Sequence, residues 1–527
     1  MDESRRVYGI DLGTTYSCIA RIDEHDQPIV LQNSEGDLTT PSVVFFESEK
    51  ACVVGKEAKQ NLALEPQKTV CFIKREMSKE ECFKKPTKHP YGEDPVEISA
   101  RILRKVVDDA NFTSGESIKD VVITCPAYFG NNERERTRQA GIIAGLNVIN
   151  IINEPTAAAI SYGLKSDGEQ SIMVYDLGGG TFDVTIIHVK GGNIRVVATD
   201  GKHDLGGADW DECLAEYMLE KFNEEHGTSY SLHDNDQLYY TFMLEAENLK
   251  KALTPEGKTE GRRPVNWDGK TSRITVSRDT FDALTGDKLQ MTIDIANQVI
   301  ATAKKLEPSL NIDEVILVGG SSRMPQIKKR VDAEYHCDAR INDPDQCVAK
   351  GAALFAMNEK YTEMAVAYED GEADYCPKTL PSAIRAHVIN VTSKTYGTDV
   401  GEHDVQNVIF SNSQLPAHEE YTFYTSCDNQ SVVPAMIFES TVTDRERDQV
   451  IKMTNAKLLT DQKMQVKGLY PAKTPFKMVF DLSENGLLKV HCEIGNETLD
   501  YELEITGVRS EQELAKAAKR LQESRIE

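Results

Sequence analysis

A glycine-rich turn between two apolar runs, within Ile172–Ile187, constrains the fold of this chain more than any other stretch. The residues on either side alternate in the β-branched manner of strands. Gly178, Gly179 and Gly180 have no side chains, so successive backbone N–H groups can close around phosphate oxygens, and Thr181 adds a hydroxyl donor. The stretch predicts a β-hairpin whose tip holds a phosphate group. A turn of purely structural role fits these residues alone about equally well.

Two carboxylates, Asp176 and Asp183, flank this turn. Carboxylates beside a phosphate normally repel it, and a hydrated Mg²⁺ between the two removes that repulsion. The sequence therefore predicts a phosphate site that depends on magnesium.

A second turn of the same kind, residues 11–16 (Asp-Leu-Gly-Thr-Thr-Tyr), lies roughly 165 residues earlier and also precedes a strand-like run, Cys18–Ile22. Two such turns facing each other can clamp one triphosphate. The pair resembles the two phosphate loops of the actin, sugar-kinase and Hsp70 superfamily. Its exact residues resemble those of the Hsp70 chaperones in particular. The resemblance implies an α/β, actin-like, two-lobed ATPase domain.

The resemblance also implies roles for individual residues around ATP or ADP and Mg²⁺. Lys74 is implied to orient the attacking water, although a lysine beside Arg75 would otherwise be a solvated pair. Glu154, at a strand end before Pro155, is implied to lie near the magnesium and its waters. The implied catalytic residues are Asp11, Lys74, Glu154, Asp176 and Thr181, the phosphate ligands are Gly13, Thr14, Thr15, Tyr16, Gly178, Gly179, Gly180 and Thr181, and the ligands of Mg²⁺ through water are Asp11, Asp176 and Asp183.

Two further stretches resemble the adenosine-binding part of the family. A helix-like run, Leu244–Leu253, carries charged residues on one face, which an exposed charge-paired helix would also show. The run Val315–Pro325 reads as a buried strand, a glycine turn and a helix start. Lys251 stands where the family has an arginine, and a lysine cannot stack on adenine as a guanidinium can. The implied adenosine ligands are Glu247, Lys250, Lys251, Thr254, Gly319, Gly320, Ser321, Ser322, Arg323 and Asp345.

The pattern changes along the chain and predicts four parts. Residues 1–357 are the nucleotide-binding domain, and residues 358–391 are an acidic, irregular insertion and a linker. Residues 392–507 show short alternating runs and an Asn485-Gly486 hairpin signal, which predict an all-β sandwich that resembles the family's peptide-binding domain. In residues 508–527 a capping box of Ser510 and Glu513 opens a short C-terminal helix, implied to be the first helix of a shortened lid.

Composition excludes some classes of function. The formal net charge of −25 opposes binding to nucleic acid or to an anionic membrane. The 11 cysteines include no C-x-x-C pair, which is typical of reduced thiols. No apolar run approaches the roughly 18 residues that cross a bilayer. We therefore expect a cytoplasmic protein. We also expect it to be mainly monomeric.

The function that the resemblance implies is that of an ATP-dependent chaperone of the stress response, which binds and releases extended apolar segments of unfolded proteins. We expect slow hydrolysis, because no strong base is evident beside the attacking water. A J-domain co-chaperone and a nucleotide exchange factor are implied partners, although Asn150 replaces a residue that is often basic in relatives. A sugar-kinase-like phosphotransferase is the first alternative, without a visible sugar-pocket motif. An actin-like assembly protein is the second, and it leaves the β domain without a role.

The linker departs most from the family, which has Asp-Leu-Leu-Leu-Leu-Asp where residues 385–391 read Arg-Ala-His-Val-Ile-Asn-Val. Loss of two leucines removes about 2 to 4 kcal/mol of docking burial at about 25 cal/mol per Å². That matches a typical coupling free energy of about 1 to 3 kcal/mol. The sequence therefore predicts weak coupling between the domains, unless the docking groove has changed to match. Pro126 and Arg134 resemble positions implicated in that coupling.

Overall fold

The computed structural model describes residues 6–84, 89–162, 168–191, 193–370, 387–445, 447–483, 486–503 and 509–527. The class is mixed α/β, as the sequence predicts. No helix in these ranges is long and apolar enough to cross a membrane.

Residues 6–162 form the first α/β unit. Its main sheet has the order β3-β2-β1-β8-β9, with β4 paired to β2, and a smaller sheet contains β7, β5 and β6. Strands β1, β2 and β3 pair antiparallel, whereas β8 and β9 join in parallel. The strands are β1 (Tyr8–Asp11), β2 (Tyr16–Ile22), β3 (Pro28–Val30), β4 (Thr40–Pro41), β5 (Val44–Ser48), β6 (Ala51–Val54), β7 (Thr69–Val70), β8 (Asp120–Cys125) and β9 (Asn147–Asn153), and the α-helices are α1 (Lys56–Asn61), α2 (Glu81–Lys84), α3 (Pro95–Ser114), α4 (Asn131–Ile143) and α5 (Glu154–Ser161).

Residues 168–370 form the second α/β unit, which repeats this layout. Here β10, β11 and β12 pair antiparallel, and β15 and β16 join in parallel. The β10–β11 hairpin closes at Leu177 and Phe182, so the predicted hairpin is confirmed. The strands are β10 (Glu169–Leu177), β11 (Phe182–Lys190), β12 (Asn193–Lys202), β13 (Glu260–Trp267), β14 (Lys270–Ser277), β15 (Glu314–Val318) and β16 (Arg340–Ile341), and the α-helices are α6 (Gly207–His226), α7 (Asp236–Leu253), α8 (Arg278–Leu284), α9 (Gly286–Leu306), α10 (Pro325–Tyr335) and α11 (Cys347–Glu369).

Helix α11 differs from the sequence prediction. The residues from Tyr361 to Glu369 were expected to be irregular, but they continue the helix that starts at Cys347. The chain there has no proline or glycine to end a helix. Residues 371–386 of the predicted insertion and linker lie outside the described residues.

The predicted linker is docked on the second unit. His387–Ile389 forms β17, which pairs in parallel with β12 and becomes the outer strand of that sheet. Val388 packs against the core shared by the two units. Backbone pairing does not depend on leucine side chains, so the observed contact survives their replacement. The strength of the contact, and hence of the coupling, stays a prediction.

Residues 395–502, the β domain, contain no described helix longer than a single 3-10 turn. A five-stranded sheet has the order β23-β19-β18-β22-β24, and a four-stranded sheet has the order β20-β26-β27-β28. Alternate residues of both sheets fill one core that includes Tyr396, Phe480 and Val490. The strands are β18 (Thr395–Gly401), β19 (Asp404–Ile409), β20 (Ala417–Tyr424), β21 (Val432–Pro434), β22 (Ile437–Ser440), β23 (Val450–Lys452), β24 (Lys457–Thr460), β25 (Lys463–Gln465), β26 (Pro475–Leu482), β27 (Leu488–Ile494) and β28 (Glu497–Glu502).

The last described segment, residues 509–527, contains helix α12 (Glu511–Gln522) and strand β29 (Arg525–Ile526). Ser510 and Glu513 form the capping box at the start of α12. The helix packs on α4 of the first unit, and β29 pairs with β6. The segment that resembles the start of a lid therefore lies on the first α/β unit.

Close packing of α11 on α5 gives a stability prediction. A Cβ added to Gly351 would lie within 3.0 Å of the backbone of Ala157, and backbone cannot move aside cheaply. We expect Gly351→Ala to lower the free energy of unfolding of the α/β region by about 1–3 kcal/mol, as overpacking does. Gly286→Ala is the control, because a Cβ there meets nothing within 4 Å. Denaturant unfolding measures both, and equal midpoints for the two variants would contradict the packing argument.

Candidate functional site

A cavity of about 570 Å³ lies between the two α/β units, within the size range of small-ligand sites. It brings together nearly all residues that the sequence predicts for the site. Three predicted residues, Gly180, Asp183 and Ser322, do not line it. Those that do are Asp11, Gly13, Thr14, Thr15, Tyr16, Lys74, Glu154, Asp176, Gly178, Gly179, Thr181, Glu247, Lys250, Lys251, Thr254, Gly319, Gly320, Ser321, Arg323 and Asp345.

The two glycine turns meet face to face at one end of this cavity. A Cβ on Gly179 would come within 3.0 Å of the Thr15 side chain, and a Cβ on Gly180 would do the same to Thr14. Only residues without a side chain allow this approach. The expectation that the two turns face each other is confirmed.

Four carboxylates and one lysine lie next to the turns. Lys74 forms a buried ion pair with Glu154. Burial first, and the negative charge of Glu154 second, raise the pKa of Asp11 to about 7. The same two causes raise the pKa of Asp176 and of Asp183 well above the usual range of a carboxyl group. When these carboxyl groups ionise, Lys74 alone leaves the cluster with excess negative charge.

A divalent cation fits this excess charge. The Oδ1 atom of Asp183 is buried and has no hydrogen-bond partner among the described residues. In the same ranges no three acidic, histidine or cysteine side chains are close enough to bind one ion directly. Ligation of Mg²⁺ through water by Asp11, Asp176 and Asp183 stays a prediction.

Two residues near the turns were not assigned a role from the sequence. Arg75 of the first unit donates from Nε to the carbonyl oxygen of Gly180 at 2.6 Å and pairs with Asp209 at 2.8 Å. Tyr128 is buried, and burial followed by the charges of Asp183 and Glu154 raises the pKa of its phenol. The His203 ring lies 4.0 Å from the Tyr128 ring. No short-range pattern marks these residues, because each contacts the site across a long stretch of sequence.

The glycine turn within Val315–Pro325, the third turn of the cavity, is shaped by a close glycine contact and by a serine hydrogen bond. A Cβ on Gly320 would lie about 2.5 Å from the Asp345 carboxylate, which Arg323 contacts at 2.7 Å. The Ser322 hydroxyl donates to the carbonyl oxygen of Val318 at 2.6 Å. Ser322 therefore holds the turn in shape and does not face the cavity.

Helix α7 contributes a charged cluster at the other end of the cavity. Glu247 pairs with Lys59 at 2.6 Å and with Lys251 at 2.7 Å. Burial raises the pKa of Glu247, but the two lysines together lower it to about 2. Lys59 belongs to the first unit and Glu247 to the second, so this ion pair bridges the mouth of the cleft. Lys59 was not predicted from the sequence.

Lys250 is the second buried lysine of the cavity. It donates to the carbonyl oxygen of Gly207 and to the carboxylate of Asp211, each at 2.8 Å. Burial raises the pKa of Asp211 to about 6 despite this pair. Lys74 and Lys250 are thus two similar ion-paired lysines, one near the glycine turns and one near the third turn.

Comparison with known proteins identifies the family. The Hsp70 protein family model matches residues 7–526. The chain is 35% identical over 496 residues to chaperone protein DnaK of Halobacterium salinarum. The aligned region covers 93% of this chain and 73% of that protein. It is 36% identical over 493 residues to DnaK of Thermosipho africanus, and the aligned region covers 92% of this chain and 77% of that protein. It is 34% identical over 511 residues to DnaK of Thermotoga maritima, and the aligned region covers 95% of this chain and 80% of that protein. The chain belongs to the Hsp70 family.

The raised pKa of Asp11 predicts how the stability of the ligand-free protein depends on pH. The folded protein favours the protonated carboxyl, so this group lowers the free energy of unfolding as pH rises from about 4 to about 7. Asp11→Asn cannot ionise. We expect it to raise the melting temperature by a few degrees at about pH 8 and by less at about pH 5.5, a gain that cleft water partly screens.

Thermal unfolding without nucleotide or magnesium measures this effect. Asp204→Asn is the matched control, because the Asp204 side chain is 75% exposed. A gain for Asp11→Asn that is as large at about pH 5.5 as at about pH 8 would contradict the assignment.

Proposed function

We propose that this protein is an ATP-hydrolysing molecular chaperone that binds and releases extended apolar segments of unfolded proteins under the control of ATP and Mg²⁺. One observation carries the proposal: two opposed glycine turns, one from each α/β unit, meet beside a lysine–carboxylate cluster, and the second unit has as its outer strand the linker to a separate β domain. A sugar-kinase-like or actin-like function gives the β domain no role. Membership of the Hsp70 family also disfavours both alternatives.

The end of the cavity where the two glycine turns meet suggests how this chain's residues act on the triphosphate. The N–H groups of the two turns bind phosphate oxygens, and Thr181 donates from its hydroxyl. Bound Mg²⁺ supplies charge neutralisation on the phosphates. Lys74, fixed by Glu154, orients the attacking water and offsets developing negative charge. Glu154 is already paired with this lysine and is therefore not free to act as a base toward the water, which fits slow hydrolysis.

Substitution of the two buried lysines, Lys74 and Lys250, should distinguish an effect on the rate of hydrolysis from an effect on ATP affinity. We expect Lys74→Ala to slow hydrolysis at saturating ATP by about 100-fold or more and to change ATP affinity by less than about threefold. Thr181→Ala should act in the same direction. Lys250→Ala is the matched control, and it should weaken ATP binding by about tenfold with little effect on the saturated rate. Calorimetry and single-turnover hydrolysis measure the two quantities, and equal loss of both in Lys74→Ala would refute its role.

The β domain offers edges for a bound peptide. Strand β20 ends the four-stranded sheet, and β23 and β24 end the five-stranded sheet. Each of these strands carries one exposed large apolar side chain: Tyr424 in β20, Val450 in β23 and Leu458 in β24. An extended segment that adds to such an edge gains backbone hydrogen bonds, while apolar side chains set its preference.

We expect the full chain to bind a fluorescent apolar peptide saturably and to release it fast. The control is the same peptide with two backbone nitrogens methylated, which removes donors and keeps every side chain. It should bind about tenfold more weakly, because each lost hydrogen bond costs roughly 0.5–1.5 kcal/mol. Equal affinity for the two peptides would exclude strand addition.

A contact between the segment that leads from β17 into the β domain and the loop after β8 gives a path for coupling. Ser393 donates from Oγ to the carbonyl oxygen of Phe129 at 3.2 Å, next to Tyr128. Arg134 donates to the same carbonyl oxygen at 3.2 Å, and it also bonds Asn153. We propose that these residues report the state of the phosphate site to the β domain.

The remaining proposals concern partners and place of action. We propose that a J-domain co-chaperone and a nucleotide exchange factor act on this protein, that it is mainly monomeric and that it works in the cytoplasm in the stress response. The ten described cysteines are all free thiols, which fits a reducing compartment. Asn150, at the position considered for the J-domain contact, donates to Glu359 at 3.4 Å.

A further inference from the structure

We propose that residues 509–527 form an intramolecular strap that stays bound to the first α/β unit in every nucleotide state. Helix α12 then anchors the β domain to that unit and does not cover a peptide. This regulatory consequence rests on the proposed chaperone function, but the binding of the strap does not.

Strand β29 is the part of the strap that is fixed by backbone hydrogen bonds. Arg525 N–H donates to Lys50 O at 2.9 Å and Glu527 N–H to Cys52 O at 3.0 Å, while Val54 N–H donates to Glu527 O at 2.7 Å. These bonds make β29 the outer strand of the order β29-β6-β5-β7. An open edge on β6 would leave backbone groups without protein partners, so the strap completes this sheet.

Helix α12 contributes apolar packing. Ala517 and Leu521 are buried, and they belong to the same hydrophobic core as residues of α3 and α4. Leu514 and Ile526 pack against this core as well. The apolar stripe of α12 is therefore already covered by the first unit and is not available to cover another surface.

The strap begins at Arg509, whose contacts fit the surface by shape and charge. Arg509 N–H donates to Gln139 Oε1 at 3.0 Å, and Gln139 Nε2 donates back to Arg509 O at 2.9 Å. The Arg509 guanidinium pairs with Asp94 at 2.7 Å. Arg520 pairs with Glu97 further along the helix. Basic side chains of the strap thus meet acidic side chains around the start of α3.

The location of these contacts makes the strap insensitive to nucleotide. Every hydrogen bond and ion pair found between the strap and another part of the described chain goes to the first unit, at Glu47, Lys50, Cys52, Val54, Asp94, Glu97 or Gln139. The proposed nucleotide lies between the two units. If the cleft opens or closes by rotation of the two units as rigid bodies, contacts within one unit stay unchanged.

Two substitutions at one position isolate the strand pairing. Arg525→Ala removes the side chain, which pairs with Glu47 at 2.9 Å, but keeps the N–H group that donates to Lys50. Arg525→Pro removes both. Hydrogen exchange of the full chain, read on peptides covering residues 50–55 and 511–522, reports the strap directly. It is recorded without nucleotide, with ADP and with ATP.

We expect exchange in residues 511–522 to differ by less than threefold among the three conditions. A larger change with nucleotide would show a mobile helix and overturn the proposal. We also expect Arg525→Pro to speed exchange in both peptides about tenfold more than Arg525→Ala does. Equal exchange in the two variants would overturn the role of the strand.

Peptides from residues 172–187 provide an internal check. Exchange there must slow on addition of nucleotide if the cleft binds it, so failure of the proposed function appears in these peptides alone. The comparison of Arg525→Pro with Arg525→Ala needs no ligand and tests the strap in either case.

Discussion

The close approach of two glycine turns, one from each α/β unit, is the contact on which the rest of the structure depends. Thr14 and Thr15 occupy the space that a side chain on Gly180 or Gly179 would need. Arg75 reaches across from the first unit to the carbonyl oxygen of Gly180 and so holds the turns in register. The cavity exists because the two repeated sheets, related by the order of their strands, present these turns to each other.

The carboxyl groups around the turns outnumber the one lysine beside them. Burial and the charge of Glu154 raise the pKa of Asp11, Asp176 and Asp183, so the folded protein disfavours their ionised forms. Lys74 is paired with Glu154 and cannot neutralise all of them. Any ligand that binds this site only in the folded protein stabilises the folded state.

Strand addition joins the parts of this chain twice. Strand β17 adds to β12 of the second unit, and β29 adds to β6 of the first. The β domain therefore follows one anchor and precedes the other, and the two anchors lie on different units. Backbone hydrogen bonds carry both contacts, which explains why a linker without the family's leucine run still docks.

The sequence by itself determined the hairpin with Gly178–Gly180, its earlier copy, the family and most residues that line the cleft, because each is written in a local run of residues. It did not show Lys59 paired with Glu247, Arg75 with Asp209, or Tyr128 beside His203, since these partners lie far apart in the chain. It also did not show the position of α12. An apolar stripe predicts that a helix face will be buried, but only the tertiary structure decides which surface buries it. The pairing of β29 was equally hidden, because backbone donors and acceptors are the same in every residue except proline.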